Sequence, residues 1–178
     1  MFLDESGFLM APLLRRTWAP RGQTPLFYEQ GAYRQKVSAI AALTVSPRRH
    51  TVRLYFALYP DENITSEHII GFLRVLAGHL RNRIVLIWDL LSGHKSQAVW
   101  KFLTARSEFH PIYLPPYAPE LNPVEPVWGY LKGHLLANVA AHDVWDLTER
   151  ARRETRRVQR QDGLLRAFLR STPLSLRV

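Results

Sequence analysis

One apolar run, Ile84–Leu91, constrains the fold more than any other feature of this sequence. It reads Ile-Val-Leu-Ile-Trp-Asp-Leu-Leu, and such a continuous run with β-branched residues is typical of a buried central strand. Helical periodicity lies on both sides of it: one helix begins at Thr65 or Ser66, and another covers Lys95–Arg106. Because helices that alternate with strands favour parallel pairing, the pattern predicts an α/β fold.

The surrounding segments supply further strands and helices. Lys36–Val45 and Thr51–Tyr59 are strand-like runs separated by a polar, proline-containing break, and they predict a hairpin. Arg15–Pro25 combines prolines and a glycine with basic and aromatic residues, and it predicts an exposed hairpin or loop. A very short first strand is predicted over Phe2–Asp4, because Ser6-Gly7 follows it as a break. The remaining predicted elements are a strand over Pro111–Leu114, a helix from Asn122-Pro123 to about Leu136, and a helix from Asp143 onward.

Length and composition narrow the class of protein. The 178 residues suffice for a buried core, so we expect one α/β domain over residues 1–140 and a basic helical extension over 141–178 packed on it. The sequence holds no cysteine, so any metal would be bound by carboxylate or imidazole groups. Apolar runs are far shorter than the roughly 20 residues of a membrane span, and no signal peptide is recognisable. We therefore expect a cytoplasmic, nucleoid-associated protein without membrane contact.

The charge of the chain indicates a polyanionic partner. Twenty-four Lys and Arg residues against 15 Asp and Glu residues give a net charge of +9. A domain this basic commonly binds nucleic acid. Eight of the arginines lie between Arg150 and Arg170, where contacts with a phosphate backbone would give affinity without sequence information. A solvated basic surface, or a general bias towards arginine, is the alternative explanation.

Three acidic residues, Asp4, Asp89 and Glu125, stand at the ends of predicted elements. A carboxylate inside an apolar run, as Asp89 is, costs free energy unless it is paired, hydrogen-bonded or bound to a metal, although it could also cap the following turn. Glu125 equally fits a capping box that begins at Asn122, and Glu120 is a competing acid in the same loop. If the three acids converge, their repulsion requires cations, and hard oxygen ligands select Mg²⁺ or Mn²⁺.

A longer pattern connects these acids. It comprises Phe2–Phe8 with Thr17–Pro25, then Ile87–Ser96, then Tyr113–Trp128 continuing to Lys132. The last segment contains Pro-Pro-Tyr-Ala-Pro-Glu-Leu-Asn-Pro-Val-Glu and is the most specific of them. In this order and spacing the segments resemble the catalytic domain of the DDE-type insertion-sequence transposases of the mariner superfamily. Thirty-five residues separate the second acid from the third, which is close to the spacing in that family.

The resemblance implies a fold and a metal site. The fold is a ribonuclease H-like, five-stranded mixed sheet with the first strand in the centre, the hairpin strands on one side and the later parallel strands on the other. The catalytic and metal-binding triad would be Asp4, Asp89 and Glu125, with Glu5 and Glu120 outside it. Two Mg²⁺ or Mn²⁺ ions would serve hydrolysis of a phosphodiester at a transposon end and strand transfer into target DNA.

Several further residues are candidates for DNA contact. His94 lies five residues after the second acid, and either contacts the scissile phosphate or has a structural role. Trp18 and Arg21 would grip DNA or a partner subunit, or else stabilise an exposed hairpin. The complete set of predicted DNA contacts is His94, Lys95, Lys132, Trp18, Arg21, Arg153 and Arg157.

Two departures from the family pattern leave a rival function open. Leu90 stands where the family usually has Asn, and Pro126 follows the third acid, where a polar or basic residue is more common. The rival is a catalytically inactive, DNA-binding remnant of a transposase; a ribonuclease H is a weaker third option. Paired transposon ends favour a homodimer. We also expect an upstream helix-turn-helix module to come from a separate or missing segment of the reading frame.

Overall fold

The computed structural model describes residues 1–11, 13–23, 35–80 and 83–174. Five strands form one sheet: β1 (Phe2–Leu9), β2 (Lys36–Val45), β3 (Val52–Pro60), β4 (Ile84–Trp88) and β5 (Phe109–Tyr113). Their order is β3-β2-β1-β4-β5; β1, β2 and β3 pair antiparallel, and β4 is parallel to both β1 and β5. The predicted mixed sheet with a central first strand is therefore confirmed.

β1 is longer than the sequence pattern indicates. The predicted strand ends at Asp4, whereas β1 continues through Ser6 and Gly7 to Leu9. All eight residues pair with β2, from Phe2 opposite Leu43 at one end to the last residue opposite Lys36 at the other. Because this pairing supplies the backbone hydrogen bonds, Ser-Gly does not end the strand. Asp4 consequently lies within the central strand.

β4 is shorter than the apolar run that predicts it. The strand ends at Trp88, so Asp89 follows the strand, and Leu90 and Leu91 are exposed. β4 lies between β1 and β5, and the central strand of the sheet is β1. The prediction that Asp89 is a carboxylate within a buried central strand is therefore wrong. The end of β4 opens instead into a polar loop beside β1.

The helices begin and end near their predicted positions, with local differences. They are α1 (Ser66–Leu80), α2 (Gln97–Thr104), α3 (Glu125–Tyr130), α4 (Val144–Gln159) and α5 (Asp162–Arg170). Thr65 caps α1: its side chain accepts a hydrogen bond from the backbone N–H of His68, whose ring accepts from the N–H of Thr65. A π-helical turn over Leu131–Leu135 extends α3, and a 3₁₀ turn over Pro119–Leu121 precedes it.

Helices cover both faces of the sheet. Because side chains alternate along a strand, Leu3, Ile40 and Ala42 face α1 and α2, while their neighbours face α3, α4 and α5. The second group is the larger, and its buried side chains on the strands are Phe2, Phe8, Val37, Ala39, Ala41, Leu43, Val52 and Leu54. Asp4 has the same parity as Phe2 and Phe8, and Glu5 has the parity of Leu3. The two adjacent acids therefore point to opposite faces.

The C-terminal region contains two helices where one is predicted. α4 ends at Gln159, and α5 begins at Asp162 after a short break. Both helices pack against β3 and bury apolar side chains, including Val158, Leu165 and Leu169. The division of the chain at residue 140 stays a prediction. Among the described helices, none has the length and apolar content needed to cross a bilayer.

Candidate active site

A pocket of about 260 Å³ lies where β1, the end of β4 and the start of α3 meet. Its walls include all three predicted acids, Asp4, Asp89 and Glu125, which come from three separate elements. The other lining residues are Leu90, Leu114, Pro115, Pro116, Tyr117, Ala118, Pro119 and Asn122. The loop after β5, with its two consecutive prolines, therefore forms much of the wall opposite β1.

Asp4 is the buried acid of the group. The residue is only 8% exposed, and its Oδ2 accepts a hydrogen bond of 2.9 Å from the indole Nε1 of Trp128. Burial raises the pKa of Asp4 from 3.8 to about 8, with further contributions from the negative charges of Glu125, Glu5 and Asp89, and against the effect of the indole hydrogen bond. The Asp4 carboxylate is therefore both poorly solvated and close to three other acidic side chains.

Asp89 is more exposed but is firmly held. Its side chain is 49% exposed, and Oδ1 accepts a hydrogen bond of 3.0 Å from the backbone N–H of Leu91. The same oxygen lies 2.8 Å from Nδ1 of His94, which is also 3.2 Å from the carbonyl oxygen of Asp89. Two donors therefore converge on one carboxylate oxygen. Within the described residues, the other oxygen, Oδ2, accepts no hydrogen bond.

Glu125 is the first residue of α3 and is exposed. The predicted capping box does not form at this helix, because the backbone N–H of Asn122 donates to the carbonyl of Pro119 instead of to Glu125. Asn122 has a different role: its Nδ2 donates to the carbonyl of Leu3, and its Oδ1 accepts from the N–H of Val124. This buried amide joins β1 to the start of α3, and it leaves the Glu125 carboxylate at the pocket wall.

His94 lies behind the pocket. The residue is 1% exposed, and its ring stacks on Trp88 with centroids 4.2 Å apart. Its Nε2 lies 3.0 Å from Oε1 of Glu5, while Nδ1 faces Asp89. Burial alone would lower the pKa of His94, but the hydrogen bond and charge of Glu5, and then Asp89, outweigh it and raise the pKa. Both nitrogens of His94 are engaged, its ring is fully buried, and the residue does not line the pocket. A contact between His94 and the scissile phosphate stays a prediction.

The donors fit a hard divalent cation in kind, although not yet in arrangement. Three carboxylates at one pocket are the ligands that Mg²⁺ and Mn²⁺ prefer. In the part of the chain that the structure describes, however, no three Asp, Glu or His side chains form a group that could hold an ion as they stand. The oxygens point partly towards their hydrogen-bond donors, as expected when like charges repel.

The predicted lysines lie in neighbouring hollows. Nζ of Lys132 donates a hydrogen bond of 2.7 Å to Oγ of Ser6, two residues along β1 from Asp4. Lys95 follows the buried histidine and lines a hollow of about 390 Å³ together with Gln97, Trp100 and Tyr113. Neither lysine lines the acidic pocket.

The other predicted DNA contacts, Trp18, Arg21, Arg153 and Arg157, do not line the pocket. Trp18 is fully exposed, and Arg21 is exposed near it in the irregular segment 13–23; the rest of the predicted loop, from residue 24 on, lies outside the described residues. Arg153 and Arg157 are exposed on α4, where both pair with Glu154 at 3.0 and 3.7 Å. These arginines present their charge on the outer side of a helix that packs on β3.

Sequence reasoning missed four residues at the site. Asn122 and Trp128 hold β1 and Asp4, and Glu5 holds the buried histidine. Trp128 lies three residues after Glu125 on one helix, a spacing that places both on the same face and was the available signal. Tyr117, in the Pro-Pro-Tyr segment, lines the pocket with a φ of 58°, which side chains larger than glycine rarely adopt. The sequence pattern included this residue but did not indicate its backbone conformation.

Comparison with protein families decides the classification. The model of the family described as "DDE superfamily endonuclease" matches residues 1–148. The chain belongs to this family. Comparison with curated proteins gave no match. Three solved structures with a similar fold are each 16% identical to this chain. The Mos1 mariner paired end complex with Mn has a TM-score of 0.69, and the match covers 97% of this chain and 52% of that chain. The Mos1 strand transfer complex has a TM-score of 0.63 (96% of this chain and 49% of that chain), and the catalytic domain of Mos1 mariner transposase has a TM-score of 0.60 (96% of this chain and 73% of that chain).

The similarity to Mos1 extends over nearly all of this chain but only about half of the Mos1 chains in the DNA complexes. At 16% identity the similarity to Mos1 concerns the fold, and the chain spans about half the length of the Mos1 chains in the DNA complexes. Both departures from the DDE pattern are at or beside the pocket. Leu90 lines its wall, and Pro126 is the second residue of α3, where a missing N–H leaves no helical hydrogen bond unmade.

Proposed function

We propose that this chain is the catalytic domain of a DNA transposase that cleaves a phosphodiester at transposon ends and joins the freed 3′-hydroxyl to target DNA. The observation that carries the proposal is the convergence of Asp4, Asp89 and Glu125 on one pocket of a DDE-family fold. The raised pKa of Asp4 supports it, because burial and the nearby negative charges disfavour the ionised carboxylate, and a bound cation would offset both effects. The Mos1 structures with Mn and with Mg have the same fold.

Each acid would have a distinct part in holding divalent ions. Asp4 would present its Oδ1 from a central strand while Trp128 retains Oδ2, and Asp89 would present Oδ2 while the backbone and His94 retain Oδ1. Glu125 would complete the set from the exposed end of α3. Two Mg²⁺ or Mn²⁺ ions, when bound, would activate the attacking water or 3′-hydroxyl and stabilise the leaving oxygen.

Basic residues around the pocket would bind the DNA backbone. Lys132 contacts Ser6, two residues after Asp4 on β1, and Lys95 shares its hollow with the exposed aromatic ring of Trp100. Aromatic and basic side chains together are typical of surfaces that contact nucleic acid. Arg153 and Arg157, with Trp18 and Arg21, would extend this surface, and the +9 charge of the chain suits a polyanion.

A second candidate is a DNA-binding remnant that no longer cleaves. Leu90 favours it, because an apolar side chain lines the pocket where the related transposases usually have an amide. Loss of a residue that orients metal ligands can reduce metal affinity or activity about 10–100-fold. The basic surface would persist in such a remnant, so DNA binding alone does not distinguish it from an enzyme.

The test compares cleavage with binding. Asp89→Asn is measured beside Glu120→Gln, a matched change at an exposed acid of the loop that lines the pocket. In a nicking assay on supercoiled plasmid, wild type and Glu120→Gln are expected to nick with Mg²⁺ or Mn²⁺, whereas Asp89→Asn is expected to lose nicking and keep salt-sensitive binding.

Two outcomes count against the transposase. Equal nicking by Asp89→Asn would rule out the proposed triad. DNA binding without nicking by wild type in either metal would favour the remnant. The homodimer and an upstream helix-turn-helix module belong to the same proposal, and mass measurement on DNA-bound protein would test the dimer.

A further inference from the structure

The contact between His94 and Glu5 lies behind the pocket, and the function proposed above gives Glu5 no part. His94 is buried between two carboxylates, with Nδ1 2.8 Å from Oδ1 of Asp89 and Nε2 3.0 Å from Oε1 of Glu5. The glutamate side chain is itself only 10% exposed. Burying such groups costs free energy unless their hydrogen bonds are satisfied. The contacts that join Glu5, His94 and Asp89 therefore hold these three side chains in place.

The geometry places both ring nitrogens of His94 against oxygen atoms. These are the carboxylate and carbonyl oxygens of Asp89 on one side, and the carboxylate of Glu5 on the other. A protonated His94 donates in both directions. Its ring cannot turn away easily, because it lies flat on Trp88 with an interplanar angle of 16°. Glu5 thus determines which way the opposite nitrogen points.

Glu5 cannot act as Asp4 does. Adjacent residues of a strand point to opposite faces, and Glu5 faces the α1 and α2 side while Asp4 faces α3. Glu5 is also not among the residues that line the acidic pocket. Its connection to the pocket is through His94, which reaches Asp89 around the end of β4.

Resting on the proposed function, we propose that Glu5 is a positioning residue: acting through His94, it orients the Asp89 carboxylate so that Oδ2 faces the pocket and can bind a divalent cation. Asp89 needs this support because its side chain is half exposed and follows the end of a strand. Donors from Leu91 and His94 hold Oδ1, which leaves Oδ2 for the ion. The adjacent Leu90 offers no amide for the same purpose.

Two variants of Glu5 separate the effect of its side-chain length from the effect of its negative charge. Glu5→Gln keeps an oxygen at the distance that accepts from His94 but removes the charge, whereas Glu5→Asp keeps the charge and shortens the side chain by one methylene group. Mn²⁺ binding to the DNA-free protein, followed by electron paramagnetic resonance, is the readout, and circular dichroism checks the fold. The control pair is Glu62→Gln and Glu62→Asp. Glu62 is an exposed glutamate that contacts the partly buried His68 at 3.3 Å and does not line the pocket.

We expect Glu5→Asp to weaken Mn²⁺ binding about 10–100-fold, Glu5→Gln to retain most of the wild-type affinity, and both Glu62 variants to match wild type. A second test uses His94→Asn, which keeps a donor near Asp89 and loses contact with Glu5. Because Glu5 acts through His94, adding Glu5→Asp to His94→Asn should change Mn²⁺ binding no further.

The contrary outcomes are distinct. Wild-type binding by Glu5→Asp together with weak binding by Glu5→Gln would mean that only charge matters and would overturn the proposal, as would additive effects of Glu5→Asp and His94→Asn. Wild-type binding by both Glu5 variants would also overturn it. If the wild-type protein itself binds no Mn²⁺, the proposed function fails first. If a Glu5 variant loses its fold, the His94→Asn variant alone decides: unaltered Mn²⁺ affinity would contradict the positioning role.

Discussion

Replacing Asp4 by asparagine is expected to stabilise the metal-free protein, although it should abolish metal binding. Asparagine has nearly the same shape, and its amide oxygen can still accept the hydrogen bond from Trp128. The substitution replaces a carboxyl group whose ionisation is disfavoured, in a residue that is 8% exposed and lies close to Glu125, Glu5 and Asp89. The change therefore relieves repulsion and desolvation without creating a cavity.

The size and sign of the effect follow from the pKa of Asp4. The pKa rises from 3.8 in the unfolded chain to about 8 in the folded one. Below pH 3.8 both states are protonated and the group has no effect on stability. As the pH rises towards 8, the unfolded state loses its proton first, and folding becomes less favourable by about 1.4 kcal/mol per pH unit. At pH 7 the accumulated penalty is ~4 kcal/mol, a large part of the 5–15 kcal/mol typical of a domain.

Urea unfolding in EDTA at several pH values measures this penalty. The free energy of unfolding of wild type should fall relative to Asp4→Asn between pH 4 and pH 8. It should then run parallel to it, since above pH 8 Asp4 is ionised in both the folded and the unfolded state. Adding Mg²⁺ should reverse the order, because an ion that binds only the folded wild type stabilises it by about 1.4 kcal/mol per tenfold excess over its Kd. An Asp4→Asn protein that is no more stable than wild type in EDTA at any pH would refute the reasoning.

The remaining predictions concern the frame of the site and its DNA contacts. Asn122→Ala leaves buried backbone groups of β1 and α3 without their partner, so urea unfolding should show a loss of about 1–3 kcal/mol, and nicking should fall as well; unchanged stability would contradict the bridging role. Lys95→Ala should lower the slope of log binding constant against log salt by about one, whereas Lys101→Ala, a matched lysine on α2, should not. Fluorescence anisotropy over a salt series measures both, and equal slopes for the two variants would exclude Lys95 as a phosphate contact.

Local sequence signals predict the parts of this fold that depend on neighbours in the chain. The β2–β3 hairpin follows from two strand-like runs around a polar break, and α1 follows from apolar spacing behind a threonine cap. The order of the five strands came from the family resemblance, because pairing between distant segments leaves no local signal. β1 illustrates the limit: Ser6-Gly7 resembles a break until β2 supplies a partner for every residue.

The acids of the site show the same limit. The sequence indicated that Asp89 was the buried carboxylate, yet the structure buries Asp4 and leaves Asp89 half exposed. An apolar run does not reveal where its strand ends, and the burial of Asp4 depends on α3, which lies more than a hundred residues away in the chain. The contact of His94 with Glu5 spans a similar separation. Spacing within α3 was the one local clue, since it aligns Trp128 with Glu125.

The central claim is that Asp4, Asp89 and Glu125 together hold divalent ions. Its most direct test is an anomalous difference map from crystals of the protein grown or soaked with Mn²⁺. The account predicts manganese peaks between these three carboxylates, with Oδ2 of Asp89 turned towards an ion, and no such peaks in Asp89→Asn. Manganese bound elsewhere, or a pocket that stays free of manganese at saturating concentration, would contradict it.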